Sequence, residues 1–309
     1  MIKRPKQEEI LRADPSYISS LSQALNNSTK VSNGLASQLS SGLRVASLSD
    51  DPAAAAQSIQ LGSQITRVDT YIQTAASQSA MLQVTDSTLG EVVTQLTSAI
   101  SLAVQMTNGT LNSSNQQAIT QQLQGIRDQV LALANTSYRG QYLFAGSQGS
   151  TKPFTLDTTT TPTNVSYAGD TLVQFIETSG GQTIQTNLPG SAIFGSGTSG
   201  ALGVLNQLIA DITSGAPSSS LAADSAALTG ALGQVSTQRS LLNSSLSIIQ
   251  ATSNYAQTQE AQLKTQQGAL VAADPAMVAT QLKSNQVQYQ ALLSVITALQ
   301  KLNLFDYLH

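Results

Sequence analysis

Catalysis at neutral pH needs groups that move protons or attack carbon, and this chain of 309 residues offers few in a usable arrangement. It has no cysteine, and its one histidine is the last residue, His309. That removes disulfides, Cys-based zinc sites and thiol nucleophiles. The serine-rich stretches supply many hydroxyls but no histidine to activate one. The acid pairs Glu8–Glu9 and Asp50–Asp51 have no base or metal-ligand set beside them. Solvation accounts for the first pair and helix capping for the second. Gly195-Ser-Gly-Thr-Ser-Gly200 matches the G-x-G-x-x-G spacing and precedes a helical pattern. A dinucleotide site also needs a βαβ unit and an acid ~20 positions on. Asp211 and Asp224 are misplaced for that, and no lysine follows to make a phosphate loop, so the segment reads as a flexible Gly/Ser loop. We expect no catalytic, cofactor-binding or metal residues and no enzyme activity.

Composition narrows the classes further. Charged residues make up 10% and the net charge is −3, so there is no basic field for nucleic acid and no polybasic membrane anchor. No apolar run approaches the ~20 residues of a membrane span. The start, Met1 to Glu9, is charged and lacks the apolar centre of a secretory signal, so export would proceed without a conventional cleaved signal. Tryptophan is absent and aromatics are 4%, which leaves Leu, Ile, Val and Ala to build a core between helices.

The pattern that remains is heptad periodicity at both ends. Val278, Leu282, Tyr289, Leu292, Ile296 and Leu299 follow alternating three-four spacing, interrupted by polar Asn285 and Asn303. Asp274 caps this helix and Pro275 suits its first turn. Near the start, Ile18, Leu21, Leu25, Leu35 and Leu39 keep the same rhythm, broken by Ser28 and Ser32. Two matching stripes imply that the ends of the chain pair as a coiled coil; an ordinary internal helix pair within a monomer is the plainer alternative.

Between them the spacing predicts a mainly α protein with a small β-rich insert, built as a long antiparallel helical bundle. Residues 1–14 read as a flexible lead, 15–43 with 274–309 as the terminal coiled coil, 44–141 with 201–273 as the bundle, and 142–200 as the insert. Ser49-Asp-Asp-Pro52 is a helix start. A very long helix follows, with a break at Gly62, then an Asn108-Gly109 turn. Ser114 with Gln117 fits a capping box for a helix running to Tyr138-Arg-Gly140. In the insert, Tyr142 to Gly146, Val165 to Tyr167, Val173 to Ile176 and Gln182 to Leu188 read as strands, with Ser179-Gly-Gly181 as a hairpin turn and Thr158 to Pro162 as a loop. Tyr142, Phe144 and Phe154 read as packing groups.

Several of these motifs together resemble a known family. Ser40-Ser-Gly42-Leu-Arg44-Val and Ser49-Asp50-Asp51-Pro52-Ala-Ala-Ala-Ala-Gln57 are similar to the N-terminal signature of bacterial flagellins and their junction proteins. Tyr138-Arg-Gly-Gln-Tyr142-Leu-Phe144-Ala-Gly146-Ser147, Pro153-Phe154, and the ending Lys301-Leu-Asn-Leu-Phe-Asp306-Tyr307-Leu308 resemble the hook-associated type 3 branch, the hook–filament junction proteins. The likeness runs from Tyr17 to Leu308; Met1 to Arg12 and His309 depart from it. A filament flagellin is the alternative within the family, and a cell-surface enzyme the alternative outside it. The resemblance implies an extracellular structural subunit of the flagellum, in a helical or ring array of copies. It also implies the first hook-associated protein and flagellin as neighbours, a cytoplasmic export chaperone at the C-terminal region, and passage through the flagellar type III system. No nucleic acid or membrane insertion is expected.

The stripes are thin for their length. Each apolar anchor gives at most ~1.5–3 kcal/mol on full burial, while ordering a residue costs about 1–2 kcal/mol of backbone entropy. We expect both termini to be mobile in the free chain and to order together on assembly.

Overall fold

A computed structural model describes residues 15–107, 112–178 and 180–306. The lead, the Asn108-Gly109 turn and Tyr307, Leu308 and His309 lie outside the described residues. The described chain is helical for most of its length, with a few two- to four-residue strands. It forms two compact units, 1–65 with 262–309, and 66–261.

The first unit contains α1 (Pro15–Ser41), the start of α2 (Pro52–Thr107), the end of α6 (Ser218–Val271) and α7 (Pro275–Asp306). Helix α2 passes through Gly62 without the expected break. The glycine there serves packing: a Cβ would lie 3.3 Å from Nε2 of Gln267. That nitrogen donates to the Ser58 carbonyl at 3.0 Å.

In the second unit, α2 and α6 run antiparallel. The Tyr71 hydroxyl lies 2.5 Å from Thr252 Oγ1, and Asp86 meets Arg239 fifteen residues later on one helix and thirteen earlier on the other. Both helices bury a residue every seven: Val68, Ala75, Leu82, Leu89, Leu96 and Ala103 on α2, and Leu221, Leu228, Val235, Leu242, Ile249 and Ala256 on α6. This is the heptad stripe of a coiled coil, with alanine at three of its twelve positions. Arg239 grips Asp86 with Nε to Oδ1 at 2.7 Å and Nη2 to Oδ2 at 3.2 Å. Its hydrogen bond holds the Asp86 carboxyl below the usual range.

Helix α3 (Ser113–Ala134) departs from expectation at both ends. Its cap is Asn112, whose side chain accepts from the Asn115 N–H at 2.8 Å, not a Ser114–Gln117 box. It stops at Ala134, six residues before Gly140, because Asn135 leaves the helix to act as a peptide mimic. Asn135 Nδ2 donates to the Phe154 carbonyl at 3.0 Å, and its Oδ1 accepts from the Phe154 N–H at 2.9 Å. Ser137–Tyr138 (β1) and Gln141–Tyr142 (β2) then form a hairpin. Arg139 and Gly140 take positive φ of 51° and 80°, the geometry of a two-residue hairpin turn.

Tyr142 to Gly146 is therefore not one strand: only Tyr142 is in the ladder, and Leu143, Phe144 and Ala145 turn into the core. Strands β3 (Phe154–Asp157) and β4 (Asn164–Tyr167) pair antiparallel, as do β5 (Phe175–Glu177) and β6 (Thr183–Gln185). Helices α4 (Ser191–Phe194) and α5 (Gly200–Ser214) pack together, and α5 also lies on α3 and β4. Phe144 and Phe154 meet Phe194 edge-on, with centroids 5.1 and 5.4 Å apart. The Gly195–Gly200 segment folds closely back on itself. A Cβ on Gly195 would strike the Ser199 carbonyl at 2.1 Å, and one on Gly200 would strike Gly195 Cα at 2.5 Å. These glycines let backbone cross backbone.

Candidate assembly surface

Helices α1 and α7 lie against each other. Leu21, Leu35 and Val278 are buried, and Leu25, Leu282, Tyr289, Leu292 and Ile296 are half-buried. Leu39 stays 45% exposed, and the side chains of Ile18 and Leu299 lie outside the described ones. The pair also leaves apolar groups in solvent: Val31 on α1, and Met277, Val287, Leu293 and Val295 on α7. At 100° per residue, Met277 and Val295 fall on one flank of the α7 seam and Leu293 on the other. Two helices alone cannot cover both flanks.

The polar interruptions meet at the middle of the seam. Ser28 and Asn285 are both buried. Ser28 Oγ donates to Asn285 Oδ1 at 3.0 Å. Asn285 Nδ2 donates to the Ser28 carbonyl at 2.7 Å and to Ser32 Oγ at 2.8 Å. Every hydrogen-bonding atom of the amide is partnered, so burial leaves no orphan. A buried amide of this kind fixes register, because a slip would set it against Leu21 or Leu35.

The loop from Gly42 to Asp51 clasps the base of this coil. Gly42, at φ 72°, closes α1 by donating to the Gln38 carbonyl at 2.8 Å, and its own carbonyl accepts from Ala273 at 2.9 Å. Arg44 donates through its backbone to Val271 at 2.7 Å and through Nη2 to the Leu270 carbonyl at 2.8 Å. A cation there suits the C-terminal end of α6. Its Nη1 reaches Asp51 Oδ2 at 3.2 Å.

The two aspartates divide the work. Asp51 caps α2, with Oδ1 accepting from Ala54 at 3.1 Å. Asp50 holds the preceding turn, accepting from Ala46 at 3.0 Å and Ser47 at 2.8 Å. Both carboxyls lie below the usual range, Asp50 through the Ser47 N–H first and Asp51 through the Ala54 N–H first, then Arg44. Pro52 opens α2, where its missing N–H costs nothing. At the other end Asp274 caps α7, accepting from Ala276 at 2.9 Å and Met277 at 3.3 Å.

The second motif group lies in the other unit. Tyr142 is half-buried, Phe144 fully buried, and Gly146 takes φ 72°. A Cβ on Gly146 would strike the Asp170 side chain at 2.1 Å. Asp170 accepts from the Ser147 hydroxyl, and at 2.8 Å from its N–H. These bonds, the hydroxyl's first, lower its pKa. Asp306 ends α7, and its side chain, like Tyr307 and Leu308, is outside the described set.

Two family models match this architecture: the bacterial flagellin N-terminal helical region over residues 16–149, and the C-terminal helical region over 226–308. The chain belongs to the bacterial flagellin family. Flagellar hook-associated protein 3 of Escherichia coli is 38% identical over 120 residues, 38% of this chain and 37% of that protein. The chain thus spans under two fifths of the curated relatives it matches. Vibrio flagellins match at 29–32% identity.

Among solved structures, one from Vibrio parahaemolyticus named as a flagellar hook-associated protein has a TM-score of 0.65 at 19% identity. It covers 72% of this chain and all of that one. The flagellar junction protein of Legionella pneumophila has a TM-score of 0.55 at 14% identity, covering 71% and 100%. Both show the fold.

In the sequence, Ser28, Ser32 and Asn285 are only polar interruptions of two apolar stripes. Laying the stripes antiparallel would have set the serines around the amide. The Asn135–Phe154 pairing left no comparable signal. Among the described residues no group of three or more His, Cys, Asp or Glu could hold a metal, and no helix is long and apolar enough to cross a membrane.

Proposed function

We propose that the chain is the structural subunit that joins the flagellar hook to the flagellin filament, in a helical or ring array of copies. The observation that carries this is the α1–α7 seam, which fixes one register yet leaves apolar residues uncovered on both flanks. Such a surface is completed by neighbours, and heterologous contacts of this kind propagate as rings or helices. The higher identity to hook-associated protein 3 than to flagellins favours the junction over the filament.

Within this reading, residues 15–43 with 274–309 form the assembly part, its contacts made by Ile18 to Leu39 and Val278 to Leu299. Residues 44–141 with 201–273 form the supporting bundle, and 142–200 the insert. The first hook-associated protein lies on one side and flagellin on the other. The subunit passes through the flagellar type III route, with a chaperone at its C-terminal region, and performs no catalysis. Deleting the chain tests the proposal. Electron microscopy should find hooks intact while flagellin is secreted unassembled, and full filaments in that strain would overturn it.

A further inference from the structure

Asn33 and Gly34 lie in the middle of α1, both exposed, between the seam positions Ser32 and Leu35. Glycine is the poorest helix former after proline. Yet a Cβ on Gly34 would meet no atom within 4 Å, and its φ is not left-handed. Neither packing nor backbone geometry asks for glycine here. What the pair does possess is reactivity, because an asparagine amide followed by a residue without a side chain leaves the next backbone nitrogen free to approach it.

We propose that Asn33–Gly34 is a self-modification site gated by the folding of α1. The deprotonated Gly34 nitrogen attacks Asn33 Cγ. The N–Cγ bond forms, the Cγ–Nδ2 bond breaks, and ammonia leaves, giving a cyclic imide. Solvent water then opens the ring at one of its two carbonyls. Cleavage of N–Cγ yields aspartate; cleavage of the original main-chain bond yields isoaspartate, with the chain rerouted through the side chain. Nothing is oxidised or reduced, and water is the sole co-reactant.

In an α-helix the Gly34 N–H is tied to the carbonyl four residues back and held away from Cγ. Ring closure therefore waits for α1 to open, and its rate is the open-chain rate multiplied by the open fraction. Isoaspartate adds a backbone methylene between two parts of one seam. On one side Ser28 and Ser32 hold Asn285; on the other Leu35 is buried. The seven-residue rhythm cannot run through that insertion. The modification is thus an irreversible record of time spent with α1 open, and it disables the coil. This rests only on the α1–α7 pairing, not on a place in the flagellum.

The full chain is incubated at neutral pH in buffer with an excluded osmolyte, which populates the coil, and in guanidinium. Lys30 and Arg44 release the site as the tryptic peptide Val31–Arg44, in which isoaspartate is quantified by mass spectrometry and chromatography. Conversion in buffer should be slower than in guanidinium by the same factor that slows amide exchange at Gly34 and Leu35. A tenfold protection should give tenfold slower conversion, equal to about 1.4 kcal/mol of opening free energy. The Asn33→Asp chain, with the charge but not the methylene, should keep the exchange protection of Leu21 to Leu35, whereas the isoaspartate chain loses it. Equal conversion in both solvents despite unequal exchange would overturn the gating. Retained protection in the isoaspartate chain, or its loss in Asn33→Asp, would overturn the register argument.

Discussion

Replacing Asn285 by alanine is the sharpest probe of the seam. The amide makes three hydrogen bonds in a buried setting, to Ser28 Oγ, the Ser28 carbonyl and Ser32 Oγ. At roughly 1 kcal/mol net each, Asn285→Ala should cost about 2–3 kcal/mol of coil stability. Ser28→Ala removes one of the three and leaves Asn285 Oδ1 unpaired, for about 1 kcal/mol. Because that bond is counted in both single variants, the double variant should cost less than their sum by about 1 kcal/mol. The assay is amide exchange across α1 and α7, with an excluded osmolyte added to all four chains so that the coil is populated. Additivity within about 0.3 kcal/mol would mean that the two side chains do not meet, and the register argument would go with it.

Three further outcomes follow from the same geometry. Gly146→Ala should destabilise the second unit by about 2–4 kcal/mol in denaturant unfolding, since it combines a positive φ with a collision at Asp170. The lowered carboxyl pKa values of Asp50 and Asp51 mean that their folded forms bind protons less readily than their unfolded ones. Their stabilisation is present above the ordinary carboxylate range and is lost as pH falls through their folded values, so exchange at Ala46, Ser47 and Ala54 should accelerate only in acid below about pH 4. Asp224 behaves oppositely: burial first, then the neighbouring Asp211 charge, push it up to about 6. Its folded form holds a proton that the unfolded chain releases, so stability should fall as pH rises from 4 to 6, and Asp224→Asn should flatten that slope in melts across the same window.

Periodicity carried the fold wherever it decided the burial. The stripes of α2 and α6 rest largely on Leu, Ile and Val, but spacing alone does not pick them out: Ile59, Val104 and Tyr255 also fit an apolar helical pattern and are exposed. Their buried alanines, such as Ala75, Ala103 and Ala256, are illegible in sequence because alanine suits buried and exposed helix faces alike. The β-rich region was read less well. Asn135 ends α3 through bonds to Phe154, nineteen residues away, and no local propensity encodes that. Composition marks Gly195 to Gly200 only as a Gly/Ser loop and carries no sign of the close backbone approach that its glycines allow. In the Gly42–Pro52 loop, sequence located the charged groups but not their division of labour. Asp51 as cap and Asp50 as turn holder differ only in which N–H groups the fold sets before them.

A thin seam still needs one arrangement, and the chain fixes register at two points. The Gly42–Arg44 clasp ties the base of α1 to Val271 and Ala273, and the Asn285 knot fixes the middle. Leucine at 285 with alanine at 28 and 32 would bury more apolar surface and need no partnered amide. That variant should hold α1 and α7 together more tightly while the upper seam samples slipped pairings, because only the clasp would then define register. Engineered cysteines make this measurable, since the chain has none of its own. Leu25→Cys with Tyr289→Cys reports the native pairing that the Ser28–Asn285 contact sets, and Leu25→Cys with Leu282→Cys reports a slip of one heptad. In the natural background only the first pair should cross-link, and in the apolar background both. A natural background that forms the slipped cross-link would leave the amide without its assigned role. An apolar background that never forms it would assign register to the clasp alone.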